Sequence, residues 1–157
     1  MKIKLISIGK TDHKALDLLI QNYVTRLKRY IKFDFEIIPD IKNRKNLNFE
    51  QQKEQEGTLL IKNISPSDFV VLLDENGTGY TSLNFSKYVS KKMLSGTKQL
   101  VFIIGGPYGF SKSVYQRANQ KMSLSSMTFS HQMVRLFFVE QLYRAFTILK
   151  NEPYHHQ

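Results

Sequence analysis

Two short segments of the chain, FVVLLD (69 to 74) and QLVFIIGG (99 to 106), are apolar almost without interruption. A strand with one solvated face alternates apolar and polar residues, whereas a strand covered on both faces reads as a continuous apolar run. Both segments therefore predict central strands of a sheet that carries helices on each side. Such a layered arrangement is typical of the α/β class.

The rest of the chain supplies neighbours for these strands. Further strands are predicted at KIKLISI (2 to 8), FDFEII (33 to 38) and KMSLS (121 to 125), the last being short. Helices are predicted between the first two strands, at 50 to 63, at 82 to 95, after Ser111 and at 133 to 149. The order βαβαβαβαβα predicts a mainly parallel sheet within one domain, residues 1 to 157.

The charge of the chain bears on its partners. There are 23 Lys and Arg residues against 13 Asp and Glu, a formal net charge of +10. This favours a polyanionic partner such as RNA, although a basic soluble enzyme with another substrate also fits. The absence of cysteine excludes disulfides and thiolate catalysis and fits a reducing compartment. No segment has the length of a membrane span, so we expect a soluble, cytoplasmic protein without a membrane partner.

Three loops are expected to meet at one edge of the sheet, because ligands of open parallel sheets bind where loops leave the carboxyl ends of strands. They are LLDENGTGYTS (72 to 82), IIGGPYGFS (103 to 111) and LSSMTFSH (124 to 131). The glycines of the second loop allow a ligand to approach the backbone, with a tight turn that binds nothing as the alternative. No P-loop is present, and the first turn, SIGK, lacks the dinucleotide fingerprint, which disfavours a nicotinamide-dependent oxidoreductase.

The titratable residues of these loops do not form a familiar catalytic set. Asp74 and Glu75 are adjacent and point to different sides of an extended chain, so we expect them to accept hydrogen bonds rather than to act as an acid and base pair. The histidines lack the spacing of a metal site, and no metal is predicted. His131 opens the last helix, where capping or packing is its simplest role.

The last helix carries apolar residues nearly all the way round between 133 and 149. We therefore expect it to be covered on two sides, by its own sheet and by a second copy of the chain in a homodimer. Glu140 and Arg144 have the spacing of an ion pair at the rim of that contact. The tail NEPYHHQ holds Tyr and His, which are suited to stacking on a base and to handling a proton, although a tail this short usually frays.

Five stretches occur in one order along the chain: MKIKLISIGK, LLDENGTGYTS, FIIGGPYGFS, LSSMTFSHQMVRLFFVEQLYRAF and EPYHHQ. In this combination they resemble the RlmH-type 23S ribosomal RNA methyltransferases of the SPOUT superfamily, over essentially the whole chain. The resemblance implies a homodimer that methylates N3 of a pseudouridine in 23S ribosomal RNA of assembled ribosomes, with S-adenosylmethionine as the donor. It also implies a C-terminal deep trefoil knot. The alternative is a non-enzymatic RNA-binding ribosome-assembly protein of the same fold.

Residue by residue, the resemblance implies a cofactor site formed by Leu73, Gly105, Leu124, Ser125, Ser126, Met127, Thr128 and Phe129. It also implies that the last helix packs against its dimer mate, so that Tyr154 and His155 complete the partner's active site. We expect His155 to take the N3 proton while Tyr154 orients the base. Arg135 or Arg144 is expected to bind RNA through a phosphate or a carbonyl oxygen.

Three positions depart from the pattern of this family. Thr78 stands where a lysine is common after Gly77, Tyr108 replaces a small or acidic residue, and Ser130 replaces a proline. Serine caps a helix well, so the departure at Ser130 is mild. The contacts of Thr78 and Tyr108 are left open by the sequence.

Overall fold

The strands run parallel in one sheet, as the continuous apolar segments predict. The structure is a computed structural model that describes residues 1–42 and 44–156. Its strands are β1 (Lys2–Ile8), β2 (Lys32–Ile38), β3 (Phe69–Gly79), β4 (Gln99–Ile104) and β5 (Gln120–Ser123). Their order in the sheet is β2-β1-β4-β3-β5. The helices are α1 (Lys14–Leu27), α2 (Phe49–Lys62), α3 (Ser82–Leu94), α4 (Lys112–Arg117) and α5 (His131–Leu149). The predicted α/β class and element order are confirmed.

Two hydrophobic cores lie on opposite faces of the sheet, because successive side chains of a strand alternate between its faces. Ile3 and Leu5 of β1 belong to the core beneath α1, α5 and α3. Ile6 and Ile8 of the same strand belong to the core beneath α2 and α4. The helix α5 contacts both α1 and α3. These two layers leave the carboxyl ends of the strands open at one edge.

The strand β3 is longer than the sequence predicts and contains a bulge. Leu73 and Thr78 are both aligned with Met122 of β5, so residues 74–77 protrude from the sheet between them. Gly77 closes the bulge, since an ideal Cβ at this position would lie 2.5 Å from the backbone nitrogen of Met122. The predicted loop after Asp74 is therefore a bulge within a strand, and the chain returns to pair with β5 before it leaves the sheet.

We expect Gly77→Ala to lower the free energy of unfolding by about 1 to 3 kcal/mol, the usual cost of forcing an atom into packed structure. The obstructing atoms belong to the backbone of β5, so β3 and β5 must separate. Urea unfolding measures the change. Gly79→Ala is the matched control, because a Cβ there would meet no atom within 4 Å. Equal stabilities of the two variants would contradict this account of the bulge.

The helix α5 is covered on one side only within the single chain. The residues buried by the chain itself are Arg135, Phe138, Val139, Leu142, Ala145, Phe146 and Thr147. Met133, Phe137 and Ile148 lie outside both cores, and Met133 is 37% exposed. The predicted burial of α5 is therefore confirmed for the side that faces its own sheet. The homodimer, which would bury the other side, stays a prediction, and so does the knot.

Candidate functional site

A cavity of about 660 Å³ opens where the pairing between β3 and β4 ends. This size lies within the range of roughly 300 to 1,000 Å³ that is usual for small-molecule sites. Its walls are residues 73–76, residues 104–110 and residues 123–131 except Ser126, together with Lys53, Tyr115 and Val134. The three loops that the sequence brings to this edge of the sheet therefore do meet there.

Seven of the eight residues predicted to bind a cofactor line this cavity. They are Leu73, Gly105, Leu124, Ser125, Met127, Thr128 and Phe129. Ser126 belongs to the same loop but is exposed and does not line the wall. Sequence reasoning did not select Ile104, Gly106 or Tyr108 as ligand-binding residues, although all three also line the cavity. The glycine loop itself was the available signal for them.

The loop from Gly105 to Gly109 is a tight turn that depends on its glycines. The amide of Gly109 donates to the carbonyl of Gly106 at 3.1 Å, and Gly109 has a φ of +79°, in the left-handed region. A Cβ on Gly106 would lie 2.3 Å from a carboxylate oxygen of Glu56. Glycine at 106 therefore lets α2 pack directly beneath the loop.

Glu56 anchors this contact from the α2 side. Its side chain is buried, and its Oε1 accepts a hydrogen bond of 2.8 Å from Nε2 of Gln52, one turn earlier. A buried carboxylate is costly unless it is hydrogen-bonded, so the position of this group is fixed. The glycine loop thus rests on a polar pair that the pattern of α2 gave no reason to expect inside the protein.

Local hydrogen bonds also shape the loop 123–130. The hydroxyl of Ser123 donates to the carbonyl of Ser125 at 2.7 Å, and the hydroxyl oxygen of Ser125 accepts from the amide of Met127 at 2.9 Å. Ser130 caps α5 by accepting from the amide of Met133 at 3.3 Å, as expected of a serine in place of proline. These hydrogen bonds therefore fix the course of the loop from within.

Asp74 and Glu75 accept hydrogen bonds, as predicted. Oδ1 of Asp74 accepts from the amide of Asn76 at 2.8 Å, and Oδ2 accepts from the hydroxyl of Tyr115 at 2.5 Å. Glu75 accepts from the hydroxyl of Thr128 at 3.4 Å. The two carboxylates place negative charge on the cavity wall, which favours a ligand that carries positive charge.

Burial raises the pKa of Tyr115 to about 12, and the hydrogen bond to Asp74 acts in the same direction. A raised pKa means that this phenol stabilises the folded state below pH 10, a contribution lost as the pH rises through 12. We expect wild type and Tyr115→Phe to give the same tyrosinate absorbance up to about pH 11. In concentrated urea, where Tyr115 is exposed, the tyrosinate absorbance of the two proteins should differ near pH 10. A difference in absorbance near pH 10 between the folded proteins would contradict the raised pKa of Tyr115.

Arg135 is fully buried at the start of α5, contrary to the expectation that it binds RNA. Its guanidinium donates to the carbonyl of Ile8 at 2.8 Å and to the carbonyl of Gly9 at 2.9 Å. Burial lowers its pKa, while the charges of Asp12 and Asp40 act in the opposite direction. Its hydrogen bonds tie α5 to the end of β1, so the guanidinium is not presented to a phosphate in solution.

The far end of α5 carries a polar group that we call the tail cluster: Glu140, Arg144, Tyr154 and His155. Arg144 donates to Oε1 of Glu140 through Nε at 3.1 Å and Nη2 at 2.5 Å, which confirms the predicted pair. The hydroxyl of Tyr154 donates to the same oxygen at 3.0 Å. Arg144 also lies 4.8 Å from the ring centroid of Tyr154. The tail is therefore held against α5.

The hydrogen bond between Arg144 and His155 fixes which histidine nitrogen is available. Nη1 of Arg144 lies 3.3 Å from Nδ1 of His155. A guanidinium can only donate, so Nδ1 must accept, and the proton of the neutral ring is on Nε2. His155 thus presents a hydrogen-bond donor to its surroundings. This geometry fits a donor better than the proton acceptor that the sequence suggested.

The cavity and the tail cluster lie at opposite ends of one helix. His131, the first residue of α5, lines the cavity, and Arg144 follows thirteen positions later. At a rise of 1.5 Å per residue, about 20 Å separates these two positions along the helix axis. One chain therefore does not bring Tyr154 and His155 to its own cavity.

Within residues 1–42 and 44–156, no group of three His, Asp or Glu side chains is placed to hold a metal ion. No helix there has the length and hydropathy needed to cross a membrane.

Comparison with known proteins gives a consistent result. The family model described as "Predicted SPOUT methyltransferase" matches residues 1–155. Relatives named "Ribosomal RNA large subunit methyltransferase H" include those of Christiangramia forsetii, 65% identical, and Flavobacterium psychrophilum, 66% identical. A third, from Bacteroides thetaiotaomicron, is 54% identical. Each of the three alignments spans 157 residues, the full length of both proteins.

Proposed function

The chain belongs to the SPOUT methyltransferase family, and from this premise we propose that it methylates large-subunit ribosomal RNA with S-adenosylmethionine as donor. The names of relatives that it matches along their full length support the RNA substrate. The resemblance of the five stretches supports N3 of a pseudouridine in 23S ribosomal RNA as the acceptor. It also supports a homodimer that acts in the cytoplasm on assembled ribosomes.

The observation that carries this proposal is the cavity at the ends of β3 and β4. Gly105 and Gly106 leave backbone without side chains at its wall, so a nucleoside can approach closely. Leu73 and Leu124 give apolar surface for a flat heterocycle. Asp74 and Glu75 provide negative charge that suits the sulfonium and ammonium groups of the donor.

Alignment is the main task of the protein in such a reaction. The sulfonium, when bound, supplies an activated methyl group, so catalysis depends on placing the acceptor nitrogen in line with it. The loop 124–129 covers the cavity and its backbone is fixed by hydrogen bonds of its own. These hydrogen bonds help to set the shape of the cavity wall.

A second copy of the chain would bring the missing polar groups to the cavity. Two α5 helices that pair antiparallel about a two-fold axis place the carboxyl end of each beside the amino end of the other. Met133, Phe137 and Ile148, which the single chain leaves outside its cores, lie on the side of α5 that also carries Arg144. We propose this side as the dimer contact.

In that dimer, His155 donates its Nε2 proton to a carbonyl oxygen of the target base beside N3. Solvent water takes the N3 proton, and the hydrogen bond from His155 stabilises the negative charge that the base gains. Arg144 holds the ring in the required tautomer, and Tyr154 orients the base. Arg135 has no part in this step, because its guanidinium is committed to β1.

Incubation with labelled S-adenosylmethionine and ribosomes that lack the modification tests the proposal. We expect label at a single pseudouridine of 23S ribosomal RNA, and none in ribosomes that already carry the methyl group. Titration calorimetry with the donor addresses the alternative, an assembly protein without activity. The absence of both label and donor binding would favour that alternative.

A further inference from the structure

Two exposed aromatic rings stack on each other at the rim of the cavity. The ring centroids of Phe49 and Tyr108 are 4.2 Å apart, with 28° between the ring planes. Phe49 is 63% exposed and Tyr108 is 41% exposed. Exposed aromatic rings add nothing to the hydrophobic core, and an exposed apolar surface beside a cavity is typical of a binding site.

The backbone beneath both rings is anchored. Phe49 is the first residue of α2, where Asn48 and Gln51 form a capping box with hydrogen bonds of 2.8 and 3.0 Å. Tyr108 belongs to the glycine loop, which rests on Glu56 of the same helix. The two rings are therefore held in place by one element, with little ordering left to do on binding.

Lysines flank the ring pair along the chain. Lys53 lies one helical turn after Phe49, lines the cavity and pairs with Glu50 at 2.6 Å. Lys45 precedes Phe49 by four residues and Lys112 opens α4 three residues after the glycine loop, and both are exposed. Lysines beside an aromatic surface favour a polyanionic chain with flat groups, which describes RNA.

The ring pair is also free of the proposed dimer contact. Phe49 lies on α2, which covers the face of the sheet opposite to α5. The proposed contact along α5 therefore does not cover Phe49.

We propose that Phe49 and Tyr108 form a stacking surface for an RNA base next to the target nucleotide, with Lys53 close to its phosphate. This inference rests on the proposed function. A target base must leave its stack to enter the cavity, and its neighbour then loses a stacking partner. An aromatic ring at the rim replaces that partner and holds the strand open. The surface acts on RNA at the rim, and the donor is bound inside the cavity.

The test compares Phe49→Ala and Tyr108→Ala with Phe49→Tyr and Tyr108→Phe, which keep the rings. We expect each alanine variant to raise the KM for ribosomes about tenfold, and the ring-preserving variants to leave it unchanged. Donor affinity of Phe49→Ala by calorimetry should stay within about twofold of wild type, because Phe49 does not line the cavity. Leu94→Ala is the control, since Leu94 is 86% exposed at the end of α3.

A normal KM in both alanine variants, with active wild type, would overturn the inference and leave the proposed function standing. A loss of donor affinity that equals the rise in KM would assign the rings to the donor instead, which also overturns it. An inactive wild type would count against the proposed function. In that case, binding of 23S ribosomal RNA decides the inference, and equal affinities of wild type and alanine variants reject it.

Discussion

Replacement of His155 by alanine is expected to slow methyl transfer by about a hundredfold or more, the usual cost of removing a hydrogen-bond donor that stabilises developing charge. The affinity for S-adenosylmethionine should hardly change, because His155 is proposed to contact the target base and not the donor. Single-turnover methylation of ribosomes and calorimetry with the donor measure the two quantities. An equal loss in both would remove His155 from its assigned role.

His155→Gln separates a donor from a base. Its amide retains an N–H group and has no basic nitrogen, so substantial activity in this variant supports the donor that the contact with Arg144 implies. Activity as low as that of His155→Ala would instead support proton abstraction by the ring. The activity of His155→Gln therefore tests whether His155 acts as a hydrogen-bond donor or as a base.

Mixing two inactive variants tests whether the site is shared between subunits. One variant is His155→Ala, and the other is Ser125→Trp, which fills the cavity and should abolish donor binding. A mixed dimer joins the intact cavity of the first chain with the intact tail of the second, so activity should return on mixing. A mixture that stays inactive, with mixed dimers present, would place the tail outside the active site.

Arg135→Leu is expected to lower the free energy of unfolding by about 3 kcal/mol. The substitution leaves the buried carbonyls of Ile8 and Gly9 without their donor, and each orphaned polar group costs about 1 to 3 kcal/mol. Urea unfolding at a fixed protein concentration measures the loss. Since domains of this size are stable by only about 5 to 15 kcal/mol, the variant should also melt at a visibly lower temperature.

Arg117→Leu is the matched control for Arg135. The guanidinium of Arg117 also donates to two carbonyls, those of Ser65 and Asp68, at 2.7 and 3.0 Å, but the first of these bonds is exposed. Water can replace such a donor, so we expect a loss of about 1 kcal/mol or less. Equal losses in the two variants would show that burial of Arg135 does not matter.

The central strands could be predicted because burial on both faces requires a continuous run of apolar residues, which is visible in a short stretch of sequence. Residues 69–73 and 100–104 are all apolar, so neither face of these two strands carries the polar residues of a solvated strand. The same reasoning brought the glycine loop to the right edge of the sheet. The bulge at 74–77 was missed, because it depends on Met122, a residue far along the chain that Gly77 must meet.

The positions of some polar residues could not be predicted from the sequence, because the groups that they contact lie far away along the chain. Glu56 looks solvent-exposed within EQQKEQEG, but the distant Gly106 packs against its carboxylate. Arg135 looks like a phosphate ligand, whereas its acceptors are carbonyls of β1 at the other end of the sequence. Helical spacing says which residues share a side of a helix but not what lies across from them.

The order of strands has a consequence for how the protein is made. β1 lies between β2 and β4, and Lys2 pairs with Gln99. During synthesis β1 leaves the ribosome long before β4 is translated. Until then, the backbone groups along one edge of β1 have no strand to pair with. Contacts between such distant residues make folding slow and expose the nascent chain to aggregation. We expect chaperones to bind it at this stage, and refolding from urea to be slow compared with a helical bundle of equal length.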